Sequence, residues 1–258
     1  MDLHLSGKTA LVTGASKGIG LACARQLAEE GCHLHIASRT KADLEKARES
    51  IQSRYNVSVA VHPVDLSNGD AARSLAAACG DIDILVNNAG AIPAGDLQAI
   101  DEPRWRAAWD LKVFGYINMC RAVYPTMKAR GGGVIVNVLG AAGERPTWGY
   151  IAGSAGNASL MAFTRGMGGT SLVDKVRIVA CNPGLIRTER METMLRATAK
   201  EKLGDAERWR ELIPKNPPVG TAEQCADLVA FLASDRASHI AGTVVTIDGG
   251  AAHFAGVL

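Results

Sequence analysis

Residues 11–20 read Leu-Val-Thr-Gly-Ala-Ser-Lys-Gly-Ile-Gly, an apolar strand running straight into a glycine-rich turn and then a helical pattern. A chain that starts this way is committed to a parallel β-α arrangement, because the helix must return along the strand it has just left. The turn is also suited to an anion. Gly14 permits the tight bend, Gly18 lets backbone approach phosphate, and Gly20 lets the helix lie on the strand. With Ser16, Lys17 and Ile19 these residues form a candidate cradle for a dinucleotide pyrophosphate at a helix N-terminus, where unpaired N–H groups and the helix dipole attract negative charge.

The same alternation continues along the chain. Strands are expected at 9–13, 33–38, 59–64, 83–87, 133–138, 176–181 and 243–247. Helices are expected near 18–30, 40–54, 69–78, 102–130, 152–172 and 222–233. Short, nearly continuous apolar strands separated by helices imply a sheet covered on both faces. The expected fold is therefore α/β: one Rossmann-like, doubly wound domain over 1–258, with about seven parallel strands. The length of 258 residues suits one such domain. The breaker-rich stretch 184–221 interrupts the pattern. Met191, Met194, Leu195 and Leu203 recur there at helical intervals, so a short amphipathic insertion is expected, with 185–215 as a substrate lid.

Charge and cysteine usage narrow the class. Twenty-eight basic against 26 acidic residues give a net charge of +2, which offers no signature of nucleic acid or an anionic membrane. Six dispersed cysteines without a Cys-x-x-Cys pair read as small core residues of a reducing compartment. No apolar run approaches the roughly 18 residues of a membrane span, and the N-terminus has no signal-peptide pattern. A cytoplasmic location is expected. His33 and His35 alternate along a strand, a spacing that could serve a metal, but six histidines scattered along the chain read as core or surface residues, so no metal is expected.

Five motifs in order, Thr13-Gly14-x-x-x-Gly18-Ile19-Gly20, Asp65-Leu66, Asn87-Asn88-Ala89-Gly90, Asn182-Pro183-Gly184 and Asp248-Gly249-Gly250, resemble the short-chain dehydrogenase/reductase family over nearly the whole chain. The resemblance implies a nicotinamide dinucleotide. Asp65, with Leu66 beside it, accepts from the adenine amino group, Asn88, Ala89 and Gly90 approach the adenosine ribose, and Pro183, Gly184, Ile186 and Thr188 cradle the nicotinamide. Asn87 and Asn88 also read as simple loop caps. At the end of the second strand stands Ser38 followed by Arg39, where a carboxylate would bind a ribose diol. Arg39 and Lys17 together favour the 2′-phosphate of NADP over NAD.

The family's catalytic asparagine, serine, tyrosine and lysine are where the match breaks. Counting back from Ala158–Arg165 puts Asn157 at the lysine position and Gly153 at the tyrosine position. Gly140 then takes the serine position and Lys112 the asparagine position. Tyr150 lies three residues before Gly153. It either packs at the helix entrance or reaches over Gly153 to serve as the proton-exchanging group. Lys112 either extends to solvent or directs its ammonium into the site, exchanging roles with Asn157. The candidate catalytic residues are thus Tyr150, Lys112 and Asn157. Glu144 and Arg145 border the site, either for a polar substrate or for each other.

Three functions follow from this reading. The first is an NADP-dependent oxidoreductase moving a hydride between nicotinamide and a carbonyl or alcohol, with an atypical active site. The second is a nucleotide-binding sensor or scaffold, and the third is different chemistry on the same fold. A small-molecule substrate is expected, bounded by Met191, Met194 and Leu195 and by the cations Arg187, Arg190 and Arg196. The resemblance also implies a homo-oligomer, either a homotetramer or a homodimer.

Overall fold

The computed structural model describes residues 1–253; the last five residues of the expected domain lie outside the described residues. Seven strands, β1 (Thr9–Thr13), β2 (His33–Ser38), β3 (Val59–Pro63), β4 (Ile84–Asn87), β5 (Gly133–Val138), β6 (Val176–Pro183) and β7 (Val244–Ile247), form one sheet in the order β3-β2-β1-β4-β5-β6-β7. Every neighbouring pair is parallel. The strand order reverses between β1 and β4, and in such sheets the crevice beyond the strand ends at that point receives the ligand.

Both faces are covered, for the reason visible in the strand residues. In β1 the side chains of Ala10 and Val12 go to one face and that of Leu11 to the other. On the first face pack α1 (Gly18–Glu29), α2 (Lys41–Gln52) and α8 (Ala222–Ala233), through Cys23, Leu27, Leu44, Ile51, Cys225 and Val229. On the second pack α3 (Gly69–Cys79) and α5 (Gly115–Arg130), through Leu75, Met119, Val123 and Met127. The helix α6 (Ile151–Gly168) joins α5 around Tyr116, Leu160 and Met161. All six cysteines are buried and unpaired.

The expected helix over 102–130 is not continuous. It consists of α4 (Glu102–Trp109), a π-helical turn Asp110–Phe114, and α5. The widened turn contains Lys112, and such turns recur at functional sites because they re-aim the side chains they carry. The expected helix over 152–172 ends at Gly168, followed by a separate 3₁₀ turn at Ser171–Asp174. The insertion after β6 forms α7 (Glu189–Leu203) and a 3₁₀ segment, Ala206–Leu212. Of the apolar residues expected to bound a substrate, Met191 turns into the insertion itself, whereas Met194 is half-buried outside that core. Met191 is buried with Ala199 and Trp209, and Leu195 and Leu203 pack onto them, so the insertion has a small core of its own. Among the described residues no helix is long and apolar enough to cross a membrane.

Candidate active site and dinucleotide cradle

The glycine turn after β1 is held in shape by its neighbours. Gly14 and Gly18 adopt φ of 66° and 59°, a region that glycine enters without steric cost. A β-carbon on Gly14 would lie 2.9 Å from the Ala89 α-carbon, and one on Gly20 would run into Gly14 O and the Asn88 amide. Asn88 donates from Nδ2 to Thr13 O at 3.1 Å and Gly14 O at 3.2 Å, while Thr13 Oγ1 accepts from the backbone N–H groups of Asn88 and Ala89. Asn88 therefore braces the turn. Asn87 is not a loop cap: as the last residue of β4 it is buried, and its Nδ2 donates to Asn137 Oδ1 at 3.0 Å. Asn137 in turn donates to Thr164 Oγ1 at 3.0 Å, joining β4, β5 and α6 beneath the site.

Around the turn, Gly18 is open, since a β-carbon there would meet only the Thr188 side chain, at 3.6 Å from its methyl. Lys17, exposed, lies 3.5 Å from Glu189 Oε2 at the start of α7. Ser38 ends β2 with its Oγ buried and without a hydrogen-bond partner, an orphan that a ribose hydroxyl or a phosphate would satisfy. Arg39 follows at the surface, and Asp65 stands exposed after β3, its Oδ1 accepting from Ser67 N at 3.0 Å. Leu66 is buried beneath it. Pro183 ends β6 and Gly184 sits against Asp248, where a β-carbon would lie 2.7 Å from that residue's own. Ile186 is buried, and Thr188 caps α7, its Oγ1 accepting from Met191 N at 3.3 Å. The residues present fit a dinucleotide: a turn clear of side chains, a helix N-terminus, and an unpartnered hydroxyl at the end of β2.

Beyond β4 and β5, Tyr150 and Asn157 both meet Gly153, whereas the Lys112 ammonium is held elsewhere. Tyr150 is the residue before α6, with φ of −143°, so it does not share a helical face with Gly153 as expected. Instead its ring folds back onto that glycine. A β-carbon on Gly153 would lie 2.6 Å from Tyr150 Cε2 and closer still to Cε1 and Cζ. Asn157 is buried, donates from Nδ2 to Gly153 O at 2.9 Å, and fills the space a Gly140 side chain would take, its amide 3.0 Å from that position. Its Oδ1 is buried with no partner.

Lys112 does point inward, with 8% of its surface exposed, but its ammonium is already engaged. It donates to Val138 O at 2.7 Å and to Tyr116 OH at 2.6 Å, and the Tyr116 hydroxyl donates to the same carbonyl at 2.8 Å. Burial, with a smaller contribution from the Arg190 cation, brings its pKa down to about 7. The cation facing the Tyr150 hydroxyl is Arg190 of α7, not the expected Lys112. Burial raises the Tyr150 pKa, and the Arg190 guanidinium partly offsets this. Arg190 also donates to Gly90 O at 2.9 Å and to Ile92 O, tying α7 to the loop after β4.

Arg190 and Tyr116 are the residues that sequence reasoning underweighted. Tyr116 stands four residues after Lys112, a spacing that brings two side chains together on a helix and was there to be read. Nothing local marks Arg190 off from its neighbouring arginines. Arg196 turns away to Glu192 and Glu207, and the Arg187 backbone N–H pairs with Gly220 O. Glu144 and Arg145 do not pair with each other: Glu144 accepts from Thr246 Oγ1 at 2.9 Å and Arg145 donates to Ala251 O at 2.5 Å.

Comparison with known proteins agrees with the fold and the ordered motifs. The short chain dehydrogenase family model matches residues 8–199. The chain is 34% identical over 253 residues to rabbit (Oryctolagus cuniculus) dehydrogenase/reductase SDR family member 4, covering 96% of this chain and 94% of the relative. It is 31% identical over 257 residues to the NADPH-dependent reductase BacG of Bacillus subtilis, covering 95% and 98%. Among solved structures, L-sorbose reductase from Gluconobacter frateurii, complexed with NADPH and L-sorbose, superposes with a TM-score of 0.91 at 30% identity, covering 98% and 99% of the two chains. With its parallel sheet, glycine turn and ordered motifs, the chain belongs to the short-chain dehydrogenase family of oxidoreductases.

Proposed function

We propose that the protein is an NADP-dependent oxidoreductase of carbonyl and alcohol substrates, working through an atypical site in which Tyr150 exchanges the proton. The observation that supports this is the Tyr150 ring lying on Gly153, the residue at the position that the resemblance gives to the family's tyrosine. Gly14, Ser16, Gly18, Ile19 and Gly20 would hold the pyrophosphate, Lys17 in the same turn together with Ser38 and Arg39 the 2′-phosphate, and Pro183, Gly184, Ile186 and Thr188 the nicotinamide end. When bound, the nicotinamide supplies or accepts the hydride.

The protein's own residues supply the rest. The Tyr150 hydroxyl carries its proton at neutral pH and so can donate it toward a carbonyl oxygen, the reductive direction, while burial, by raising its pKa, makes it a weaker donor that depends on the Arg190 charge beside it. Arg190 beside it stabilises negative charge developing on that oxygen or on the phenolate. Asn157, with Oδ1 unpartnered, offers a hydrogen-bond acceptor one turn further along α6. Lys112 acts from behind, fixing Val138 O and Tyr116 at the end of β5. The α7 segment serves as the lid over 185–215. Glu189 on Lys17 and Arg190 on Gly90 hold it across the mouth of the crevice.

A nucleotide sensor without turnover is the second reading, favoured by the engagement of Lys112 away from Tyr150. One experiment separates the two: NADPH oxidation against a panel of ketones, aldehydes and ketoses, with Tyr150→Phe in parallel. The expected result is turnover by the parent that falls about 100-fold or more in Tyr150→Phe, with nucleotide affinity retained. Unchanged turnover in that variant removes Tyr150 as the acid. NADPH binding with no turnover on any carbonyl gives the lead to the sensor.

A further inference from the structure

Away from the nucleotide crevice, at the β3 edge of the sheet, three residues distant in sequence meet. His35 of β2, His62 of β3 and Cys79, the last residue of α3, place one ligand atom each within 4.8 Å of one another. His35 Nδ1 and His62 Nε2 are 2.9 Å apart with the rings stacked at 5.1 Å between centroids, and Cys79 Sγ lies 3.8 Å from His62 Nε2. The register explains the meeting. His35 pairs with Ala60, so His62 is two residues further along β3 and on the same face of the sheet, the face on which α3 packs.

We propose that His35, His62 and Cys79 form a binding site for a borderline-soft divalent cation, zinc(II), independent of the nucleotide site. Two imidazoles and a thiolate are the donor set of such an ion, and none of the three groups is the carboxylate that calcium or magnesium would need. With zinc–nitrogen bonds of about 2.0–2.1 Å and a zinc–sulfur bond of about 2.3 Å, tetrahedral angles put two nitrogens about 3.3 Å apart and nitrogen and sulfur about 3.6 Å apart. The observed 2.9 and 3.8 Å differ from these by a few tenths of an ångström. Water takes the fourth position, entering past the half-buried imidazoles.

Protonation suits the site. Burial lowers the pKa of both His35 and His62, so the rings are neutral at neutral pH and ready to ligate. One of them donates the N–H between the rings. On metal binding that proton leaves the shared contact and a proton is taken up on the other nitrogen of the same ring, with no net change. The Cys79 thiol, pushed by burial to about 12, is protonated in the apo protein, so its proton passes to the buffer as the zinc–sulfur bond forms. The bound ion ties the edge strand β3 and the end of α3 to β2.

The test is calorimetric titration of zinc(II) into the tag-free, chelator-treated full chain, in two buffers of different ionisation enthalpy. Cobalt(II) is titrated in parallel and followed by absorption. The expected result is one zinc per chain with about one proton released, and a near-ultraviolet thiolate-to-cobalt band. Cys79→Ser and His62→Gln, checked for retained circular dichroism, are expected to lose the stoichiometric binding, and Cys79→Ser the band and the proton. If the parent takes up no stoichiometric zinc, or binds cobalt without a thiolate band, the proposal is overturned on the parent protein alone. Equal zinc affinity and proton release in Cys79→Ser would overturn it as well.

Discussion

Placing alanine at Gly153 puts the Tyr150 assignment to its strictest test. On an ordinary helix this substitution stabilises, because alanine exceeds glycine in helix propensity by about 0.8–1.0 kcal/mol. Here the new methyl falls inside the Tyr150 ring, 2.6 Å from Cε2 and closer to two other ring atoms. Inserting a methyl into packed space costs about 1–3 kcal/mol. The difference is a loss between nothing and about 2 kcal/mol, which in a chain of this size lowers Tm by no more than about 8 °C. Since Tyr150 sits just before α6, its ring relieves the clash by swinging off Gly153, so the stability loss belongs at the low end while the hydroxyl leaves its place. A positioned general acid contributes about 10²–10⁴-fold, so kcat for carbonyl reduction is expected to fall about as far in Gly153→Ala as in Tyr150→Phe. The assays are calorimetric unfolding and NADPH-linked steady-state kinetics on the parent and both variants. A Gly153→Ala protein with higher Tm and undiminished kcat would refute the packing of Tyr150 on Gly153 as the basis of its role.

Lys112 carries a pH signature. Its folded pKa of about 7 lies below the ordinary 10.5, so between these values the unfolded chain holds a proton that the folded chain has released. Stability from this residue therefore rises with pH across that window and is flat below pH 7, by at most about 1.4 kcal/mol per pH unit. Paired urea melts of the parent and Lys112→Met at pH 7 and pH 9 are expected to show the parent gaining relative to the variant, and a pH-independent difference would contradict the buried-ammonium account. Nucleotide choice is checked by titrating NADPH and NADH. Arg39→Ala is expected to weaken NADPH by less than about 1.5 kcal/mol, under roughly tenfold, because Arg39 is exposed and its contact is screened by solvent; equal affinities of the parent for the two nucleotides would end the NADP reading. Light scattering is expected to show a homotetramer or homodimer at micromolar concentration, and a stable monomer would contradict it.

The sheet and its covering helices could be read from the chain, since they rest on local patterns. Alternating apolar runs placed the strands to within a residue or two, and the glycine spacing after β1 placed the tight turn into α1. The motif order also pointed to Ser38, Arg39 and Asp65, because a parallel sheet places strand ends together whatever the details of packing. Catalytic geometry was legible only in outline. The residues left Tyr150 either packing at the helix entrance or reaching over Gly153, and only the fold shows the ring on that glycine, reached from a non-helical residue rather than along a helix face. The destination of Lys112 was not legible, because Val138 O becomes an acceptor only when β5 is laid beside the π turn. Nor was it legible that Arg190, among three similar arginines, faces Tyr150. Such pairings depend on how α7 folds back over the loop after β4, 100 residues away. His35, His62 and Cys79 make the same point: a two-residue offset between neighbouring strands and the end of one helix put them in a single cluster. Periodicity and turn chemistry are properties of neighbours in sequence, whereas partners across a sheet or between a helix and a loop are created by register and packing.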